Sequence, residues 1–328
     1  MKIDFVIPWV NGGDPVWREE RRRYSNDPRD SDECRFRDWD LLRFWFRAVE
    51  VYAPWVNRVH FVTWNQVPDW MNREHHKLHL VDHRDFIPSE YLPTFSSHTI
   101  ELNFHRIPGL TEHFVYFNDD MFLNTPVTPE DFFINGVPCD RAVLDQFTPV
   151  SLCDPYTHAQ CNIIGFLNLH FNKHSVLLSN PGKWFSLKYG KGVLKNLYYA
   201  LPKNFSNFNN QHIPSCMLRS VYEQVWALEP DLLHNTCCNK FRQLGDVNQY
   251  IMSYYNVCLG NFVPRPANFG KCYSIGSNNG ALYRDIQQGI HKTICINDHP
   301  NILDFEGEKL RLLSLYNEKF PNKSSFEI

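Results

Sequence analysis

The spacing of three short apolar runs limits the folds available to this chain more than any other feature. The runs cover about 3–10, 57–63 and 113–118, and stretches with helical periodicity lie between them. A strand, a helix and a second strand at this spacing form a βαβ unit, whose strands lie parallel in one sheet. The sequence therefore predicts an α/β fold with a mainly parallel sheet and flanking helices.

The clearest helical pattern covers about 38–52, where apolar residues recur at i, i+4, i+8 and i+11. Asp38 is suited to be the N-cap of this helix, and Pro54 ends it. Charged residues form a stripe along another side of the helix. We expect Arg47 and Glu50 on this solvated face, where a pair three residues apart contributes little to stability.

In the C-terminal half of the chain, two helical patterns are separated by short strands and loops at 256–299. One helical pattern covers about 214–255 and another covers 303–320. The sequence has no repeat, no low-complexity linker and no clear domain boundary. We therefore expect a single domain spanning 1–328, with a helical insertion at about 195–255.

Composition argues against several classes of protein. The 328 residues carry a net charge of −3 without a run of five like charges, so nucleic acid is not an expected partner. No window contains about 18 consecutive apolar residues, and the N-terminus lacks a signal-peptide pattern. We expect no transmembrane segment and a cytoplasmic location. The ten cysteines lack metal-binding spacing and are expected to be mostly buried thiols.

The run Phe114–Phe122 is a strand-length apolar segment that ends in two adjacent carboxylates, Asp119 and Asp120. Open α/β sheets bind ligands at the carboxyl ends of their strands. Two carboxylates at this position suit a divalent cation that takes further ligands from water or phosphate. Taken alone, the same residues also fit an ordinary polar turn at the end of a strand.

Several other stretches of the chain combine with this acidic pair to form a larger signature. They are Ile7–Asp14; Phe36–Asp38, Ala53–Val56, Gln66–Pro68 and Phe117–Asp120; Gln211–Pro214 with Phe241–Arg242; and Cys295–His299. In this combination and order the chain resembles the Stealth family of sugar-1-phosphate transferases. The first stretch begins Ile-Pro-Trp where the family more usually has Tyr-Thr-Trp, and His299 stands where the family commonly has Asn.

The resemblance implies a nucleotide-sugar-transferase-like fold and a phosphoryl transfer reaction. The donor would be a nucleotide diphosphate sugar, with uridine as the expected base. The group transferred would be a hexose-1-phosphate or an N-acetylhexosamine-1-phosphate. The acceptor would be a hydroxyl of an oligosaccharide or a lipid-linked glycan, which is compatible with peripheral membrane association. The product would be a phosphodiester-linked capsular, exo- or cell-wall polysaccharide, and the cofactor Mg²⁺ or Mn²⁺.

The resemblance also assigns catalytic roles to particular residues. Asp119 and Asp120 would hold the metal, and Asp298 would return to the site from the fourth signature region. His212 aligns with the active-site histidine of the family, and an imidazole that titrates near neutrality can accept a proton from a hydroxyl. Arg242 aligns with an arginine that neutralises phosphate charge. Asp246 or Asp298 is the alternative base if His212 is not.

Eight residues are predicted to bind substrate. They are Asn11, Gly12, Asp14, Arg37, Asp38, Arg43, His98 and Glu101. Backbone amides of a glycine turn after a first strand can approach a diphosphate closely, although Gly-Gly-Asp-Pro is also an ordinary turn sequence.

Arg43 matches a family arginine near the substrate phosphates, and a guanidinium can bind two phosphate oxygens at once. A helix over about 97–106 would place His98, Glu101 and His105 on one face. By periodicity alone this face is a polar stripe or a zinc site. The resemblance supports His98 and Glu101, but not His105.

Two other functions remain compatible with the sequence. A metal-dependent glycosyltransferase would use the same donor and cation, but the acceptor would attack the anomeric carbon and release a nucleoside diphosphate. A non-catalytic glycan-binding protein would account for the 15% aromatic content. It would have no need for clustered Asp, Arg and His residues.

Overall fold

The structure is a computed structural model that describes residues 1–25, 37–149, 154–298 and 302–328. Its strands are β1 (Ile3–Pro8), β2 (Val59–Thr63), β3 (Leu78–Asp82), β4 (His113–Tyr116), β5 (Met121–Leu123), β6 (Phe133–Ile134), β7 (Val137–Asp140), β8 (Leu144–Asp145), β9 (Asn207–Phe208), β10 (Ser215–Leu218), β11 (Val263–Pro264), β12 (Gly270–Ser274) and β13 (Thr293–Asn297). Its helices are α1 (Pro15–Tyr24), α2 (Leu42–Tyr52), α3 (Ser97–Leu102), α4 (Pro155–His170), α5 (Lys173–Ser179), α6 (Pro181–Trp184), α7 (Gly192–Tyr199), α8 (Arg219–Leu228), α9 (Pro230–Cys238), α10 (Tyr250–Cys258), α11 (Gly280–Gln288) and α12 (Phe305–Lys319).

The main sheet has the strand order β10-β4-β1-β2-β3. Strand β1 is parallel to both β2 and β4, and β2 is parallel to β3. Only the edge strand β10 runs antiparallel to its neighbour β4 within this described sheet. Phe5, Phe61 and Phe114 are completely buried, as expected for strands that helices cover on both faces. The predicted α/β class, with a mainly parallel sheet and flanking helices, is confirmed.

A smaller sheet begins where the central strand β4 ends. The chain turns after β4 and continues as β5, which pairs antiparallel with β13, and β13 pairs in parallel with β12. The turn between β4 and β5 therefore lies where the two sheets meet. This junction brings Cys295 into contact with Asp120, although 175 positions separate them in the sequence.

The helix predicted at 38–52 is observed as α2, and the final helix predicted at 303–320 is observed as α12. The prediction of Asp38 as an N-cap was wrong, because α2 begins at Leu42 and Leu41 occupies that position without a side-chain cap. The helix predicted at 97–106 ends earlier. It is α3, followed by a separate 3₁₀ turn at Phe104–Arg106.

The helical prediction for 214–255 was wrong in two places. Ser215–Leu218 forms β10 at the edge of the main sheet, and 239–249 connects α9 to α10 without forming a helix. A short apolar run such as Cys216–Leu218 fits a strand and a helix equally well when only its periodicity is considered. The assignment of one catalytic domain with an insertion at about 195–255 stays a prediction.

The expectation that Arg47 lies on a solvated helix face was also wrong. Its side chain is buried, and its Nε and Nη2 atoms donate to the two carboxylate oxygens of Glu327 at 2.7 and 2.8 Å. The neighbouring Glu50 accepts from the backbone N–H of Ser325 at 3.0 Å. The C-terminal residues thus cover a helix face that the local sequence marks as polar.

None of the helices in the described ranges has the length and apolar character needed to span a membrane. The eight cysteines within those ranges are free thiols, and five of them are buried. The expectation of mostly buried thiols therefore agrees with the described part of the chain.

Candidate functional site

The predicted acidic pair lies in a tight turn at the carboxyl end of β4. The backbone N–H of Met121 donates to the carbonyl of Asn118 at 3.0 Å, which places Asp119 and Asp120 at the two central positions of the turn. The buried residues before the turn fix its position, since Phe117 donates its N–H to Val6 of the neighbouring strand at 2.9 Å. The turn is thus anchored to the most buried part of the main sheet.

Asp120 is half-buried and contacts residues from two distant parts of the chain. Its Oδ2 atom accepts from the Cys295 thiol at 3.2 Å and lies 3.5 Å from Nε2 of His212. Its backbone carbonyl accepts from the N–H of Ile296 at 2.8 Å. The other carboxylate oxygen, Oδ1, is buried and has no hydrogen-bond partner within the described parts of the chain. An unpaired buried carboxylate oxygen is costly, which makes it a strong candidate to bind a ligand.

His212 is held in position by contacts on both ring nitrogens. Its Nδ1 lies 3.0 Å from the Tyr250 hydroxyl, and the Nδ2 amide of Asn118 donates to its Nε2 at 3.3 Å. In the neutral ring, Nδ1 therefore carries the proton and donates to Tyr250, while Nε2 is left as an acceptor. This tautomer leaves the basic nitrogen on the side of Asp120.

The backbone at His212 adopts the left-handed conformation, with φ of 48°. Its N–H donates to Oδ1 of Asn210 at 2.7 Å, which stabilises this turn. The expectation that a helix follows His212 was wrong, because the next element is β10. A non-glycine residue in this conformation is uncommon and is often found at functional sites.

The protonation properties of His212 fit a role in proton transfer. Burial opposes protonation of the ring, but the hydrogen bond and the negative charge of Asp120 outweigh it. The pKa of His212 is consequently raised above its ordinary value. Removing Asp120 would therefore lower the pKa of His212 and would also remove one carboxylate of the acidic pair.

Asp119 is exposed as a whole residue, but its carboxyl group is crowded by the acidic groups of Asp120 and Asp38. Loss of surrounding water, the charge of Asp120 and, to a smaller extent, the charge of Asp38 together raise the pKa of Asp119 to about 7. Loss of surrounding water also raises the pKa of Asp38 itself. Carboxylates that repel one another in this way are stabilised by a cation between them.

The residues of this site fit a divalent cation. One carboxylate oxygen of Asp120, one nitrogen of His212 and the sulfur of Cys295 lie within 4.8 Å of one another. The orphaned Oδ1 of Asp120 and the carboxylate of Asp119 are hard oxygen donors of the type that Mg²⁺ and Mn²⁺ prefer. The adjacent nitrogen and sulfur are softer donors. The donor set therefore supports a metal site and leaves the choice of metal to experiment.

Asp298 follows β13 and lies beside Arg37. Its Oδ1 atom is 3.5 Å from Nη1 of Arg37, whose guanidinium also stacks over the ring of Phe305 at 5.3 Å. Two predicted site residues from opposite ends of the chain are thus brought together. The role of Asp298 as a metal ligand stays a prediction, as do the roles of Arg37 and Asp38. Phe36 and His299, which belong to the signature stretches, lie outside the described residues.

Two predicted site residues, His98 and Glu101, are buried side chains of α3. Glu101 is buried and accepts from the Tyr116 hydroxyl at 2.8 Å, and Tyr116 also contacts Oδ1 of Asn118. His98 is buried and lies 3.2 Å from Oδ2 of Asp246. Glu101 is thus one hydrogen-bonded residue away from Asn118, which contacts His212. Its prediction as a direct sugar ligand stays untested.

Arg242 and Asp246 both contact residues of α3, Ser97 and His98 respectively. Arg242 donates from Nη2 to the Ser97 hydroxyl at the start of α3, at 2.7 Å. Asp246 is fully buried, and its two oxygens accept from Asn239 at 2.7 Å and from the N–H of Gln243 at 2.8 Å. Because Asp246 is fully buried and both of its oxygens accept hydrogen bonds, it is less accessible to a substrate hydroxyl than the partly exposed His212.

The glycine turn after β1 has a clear structural role. Asp14 caps α1 by accepting from the N–H of Val16 at 2.9 Å. Gln66 donates to Asp14 at 3.0 Å, and its Oε1 accepts from the N–H of Asn11 at 2.8 Å. The hydrogen bond from Gln66 contributes most to lowering the pKa of Asp14. These contacts explain Asp14 without a substrate, so substrate binding by Asn11, Gly12 and Asp14 stays a prediction.

Arg43 is exposed, and its guanidinium stacks over the ring of Trp70 at 5.4 Å. His105, which had no support as a site residue, packs against Tyr222, and burial lowers its pKa to about 3. A histidine with so low a pKa stays neutral at physiological pH. Arg43 remains a predicted phosphate ligand on the strength of its resemblance alone.

Sequence reasoning did not assign roles to Asn118, Tyr250 or Cys295, which complete the surroundings of His212 and Asp120. Asn118 and Cys295 belong to the signature stretches, and each lies within three positions of a predicted metal ligand, Asp120 or Asp298. That position in the sequence could have marked both as site residues. Tyr250 had no such signal. It lies 38 positions from His212 and contacts it only because α10 packs beside β10.

Comparison with known proteins identifies the family of the chain. Residues 1–28 match Stealth protein CR1, conserved region 1, and residues 35–139 match Stealth protein CR2, conserved region 2. The chain is 39% identical to the capsular polysaccharide phosphotransferase WcwK of Streptococcus pneumoniae, covering 99% of this chain and 98% of that protein. It is 41% identical to the exopolysaccharide phosphotransferase cps2G of Lactiplantibacillus plantarum, covering 99% and 96%.

Relatives at this identity and coverage identify the chain as a phosphotransferase. More particularly, it belongs to the Stealth family, and the resemblance seen in its sequence is confirmed. Among solved structures, the galactosyltransferase LgtC in complex with donor and acceptor sugar analogues is a distant neighbour. It has a TM-score of 0.40 at 10% identity, covering 98% of each chain.

Proposed function

We propose that the protein transfers a hexose-1-phosphate or N-acetylhexosamine-1-phosphate from a nucleotide diphosphate sugar, with uridine as its base, to a hydroxyl of a glycan. The product is a phosphodiester-linked capsular, exo- or cell-wall polysaccharide. Relatives named as capsular and exopolysaccharide phosphotransferases support the type of polymer. The observation that carries the proposal is the joining of Asp120, in the acidic turn after β4, to His212, 3.5 Å away.

The chemistry requires a base, neutralisation of charge and exact placement of the phosphate. The acceptor hydroxyl attacks the β-phosphorus of the donor, forming a new P–O bond. The bond between the β-phosphorus and the oxygen that links it to the α-phosphorus breaks, and a nucleoside monophosphate leaves with that oxygen. Nε2 of His212 takes the hydroxyl proton, and Asp120 stabilises the imidazolium that results.

Asp119 and Asp120, with Asp298, are the residues proposed to hold Mg²⁺ or Mn²⁺. When bound, the cation supplies positive charge that stabilises the phosphoryl group during transfer. Arg242 and Arg43 are proposed to bind the phosphates. The remaining donor contacts are proposed to come from Asn11, Gly12, Asp14, Arg37 and Asp38, with His98 and Glu101 towards the sugar.

The test is to identify the nucleotide released and the phosphorus content of the product. The protein is incubated with UDP-N-acetylglucosamine, UDP-glucose or UDP-galactose, Mg²⁺ and a neutral oligosaccharide, and Asp120→Asn is run in parallel. We expect UMP and a phosphodiester resonance in the glycan by ³¹P NMR. Stoichiometric UDP with a phosphorus-free product would instead identify a glycosyltransferase.

Chelation provides an independent control. EDTA should abolish turnover, and added Mg²⁺ or Mn²⁺ should restore it. Full activity in EDTA would remove the metal from the mechanism and leave His212 and the arginines as the catalytic groups.

A further inference from the structure

A small cavity beside His212 has the chemistry of a sugar-binding subsite. Its volume is about 230 Å³. Its lining consists of Asp145, Phe147, Thr148, Tyr156, Thr157, Gln160, Asn207, Phe208, Asn209 and Asn210. Sites that bind drug-sized ligands have volumes of roughly 300–1,000 Å³, so this cavity suits a single sugar ring better than a nucleotide diphosphate sugar.

The strongest evidence for a ligand is an unsatisfied buried amide. Gln160 is only 3% exposed, and neither its Nε2 nor its Oε1 has a hydrogen-bond partner among the residues that the structure describes. Oδ1 of Asn207, on the facing strand β9, likewise lacks a partner there. Buried amides normally form hydrogen bonds. A ligand that offers both donors and acceptors, as sugar hydroxyls do, would satisfy all three atoms.

Aromatic rings supply apolar surface to the same cavity. Phe208 is buried and stacks on Tyr254, with ring centroids 4.4 Å apart. Phe147 is half-buried, and Tyr156 is 43% exposed at the start of α4. Rings beside amides are suited to the apolar faces and the hydroxyl groups of a sugar.

The charge of the lining argues against the phosphate-bearing donor. None of the described residues that line the cavity is Lys or Arg. The one acidic group, Asp145, is paired with Lys195 at 2.6 Å and accepts from Asn209 at 2.7 Å. A cavity in which the one charge contributed by the described lining residues is already neutralised favours a neutral ligand.

The cavity adjoins the proposed base through the backbone. Asn210 lines the cavity, and its Oδ1 atom accepts from the backbone N–H of His212 at 2.7 Å. His212 therefore lies only two residues along the chain from the cavity. We propose that this cavity binds a neutral sugar residue of the acceptor glycan and thereby presents its hydroxyl to His212. This inference rests on the proposed function for the identity of the acceptor, but the binding itself does not require the reaction.

Two substitutions test the cavity without disturbing the catalytic residues. Gln160→Leu removes the unsatisfied amide while keeping a similar volume, and Tyr156→Ala removes an exposed ring. Tyr198→Ala is the matched control, because Tyr198 is 68% exposed on α7 and does not line the cavity. The ligand is the same neutral oligosaccharide that serves as the acceptor in the test of the proposed function.

Binding is measured by calorimetry without donor, and KM values are measured for the oligosaccharide and for the donor. We expect each cavity variant to weaken oligosaccharide binding and to raise its KM roughly tenfold. The donor KM should be unchanged, and Tyr198→Ala should resemble the unmodified protein. Unchanged oligosaccharide binding in both variants, or a raised donor KM with an unchanged acceptor KM, would overturn the assignment.

The nucleotide released distinguishes failure of this inference from failure of the proposed function. Release of UDP would refute the phosphotransfer reaction even if the cavity variants still lost oligosaccharide affinity. Release of UMP with normal oligosaccharide binding in both cavity variants would refute the cavity and leave the reaction in place.

Discussion

The ion pair of Arg47 with Glu327 and the cluster around Asp120 both place charged groups inside the same α/β body, but they differ in how far those groups are satisfied. Both oxygens of Glu327 accept from Arg47, and one of them also accepts from the N–H of Ser324 at 2.9 Å. Although burial opposes ionisation of Glu327, these contacts lower its pKa overall. Asp120 keeps one buried oxygen without a hydrogen-bond partner among the described residues.

The difference shows which cluster is built for stability and which for chemistry. A fully paired carboxylate has no capacity left for a ligand, and its loss affects folding. An incompletely paired carboxylate beside another acid remains able to bind a cation or a proton, at a cost in stability. Substitutions around Asp120 should therefore lower turnover and spare stability, whereas substitutions in the Arg47–Glu327 pair should lower stability and spare turnover.

The largest effect is expected for Asp120→Asn. Turnover should fall by roughly 10³-fold or more, because the substitution removes charge from both the proposed metal site and the partner of His212. The melting temperature should not fall, since one of two repelling acids is neutralised. Initial rates and thermal unfolding measure the two quantities. A variant with normal turnover would remove Asp120 from the mechanism.

His212→Ala should lower kcat by roughly 10²–10⁴-fold, the range typical of a lost general base. The donor KM should change little, because phosphate binding is assigned to arginines and the metal. In the unmodified protein kcat should rise with pH through the pKa of His212, because only the neutral imidazole can accept the proton of the hydroxyl.

That acidic limb of the profile should be absent from His212→Ala. His76→Ala is the matched control, since His76 is exposed and its ring packs against His75. A near-normal kcat with an unchanged pH profile in His212→Ala would leave Asp298 or Asp246 as the base.

Glu327→Gln should show the opposite behaviour, with lower stability and an unchanged kcat for the folded protein. Leaving Arg47 buried without its carboxylate should lower the free energy of unfolding by about 3–5 kcal/mol. Urea unfolding measures the change. Glu19→Gln, in an exposed pair with Arg22, should have no measurable effect. A loss of kcat in Glu327→Gln at full folding would mean that the ion pair also positions the site.

The smallest effect concerns the pH dependence of stability in chelated protein. The pKa of Asp119 is about 7 in the folded protein and close to the ordinary aspartate value of 3.8 in the unfolded chain, so the folded state binds the proton more tightly. Stability from this group should fall as pH rises from about 4 to about 7. In EDTA, the melting temperature of Asp119→Asn should fall less between these two pH values than that of the unmodified protein. An identical decline in both proteins would mean that Asp119 titrates normally.

Local sequence predicted the elements whose signal is contained in a few neighbouring residues. The apolar runs that became β1, β2 and β4 were predicted within a few residues of their ends, and so were α2 and α12. Strand β3 and helix α11 were not predicted. Both elements are short, with five residues in β3 and nine in α11, and neither contains more than three consecutive apolar residues.

The sequence by itself determined the α/β class, the family and the acidic turn, because apolar periodicity and short signature stretches are local properties of the chain. Only the tertiary structure decided which polar residues meet. Arg47 is paired because Glu327, 280 positions away, folds over α2, and His212 is oriented because Tyr250 reaches it from α10. Such partners are set by the packing of helices and sheets. A residue's own neighbours in the sequence therefore do not reveal whether its charge will be solvated, paired or left open to a ligand.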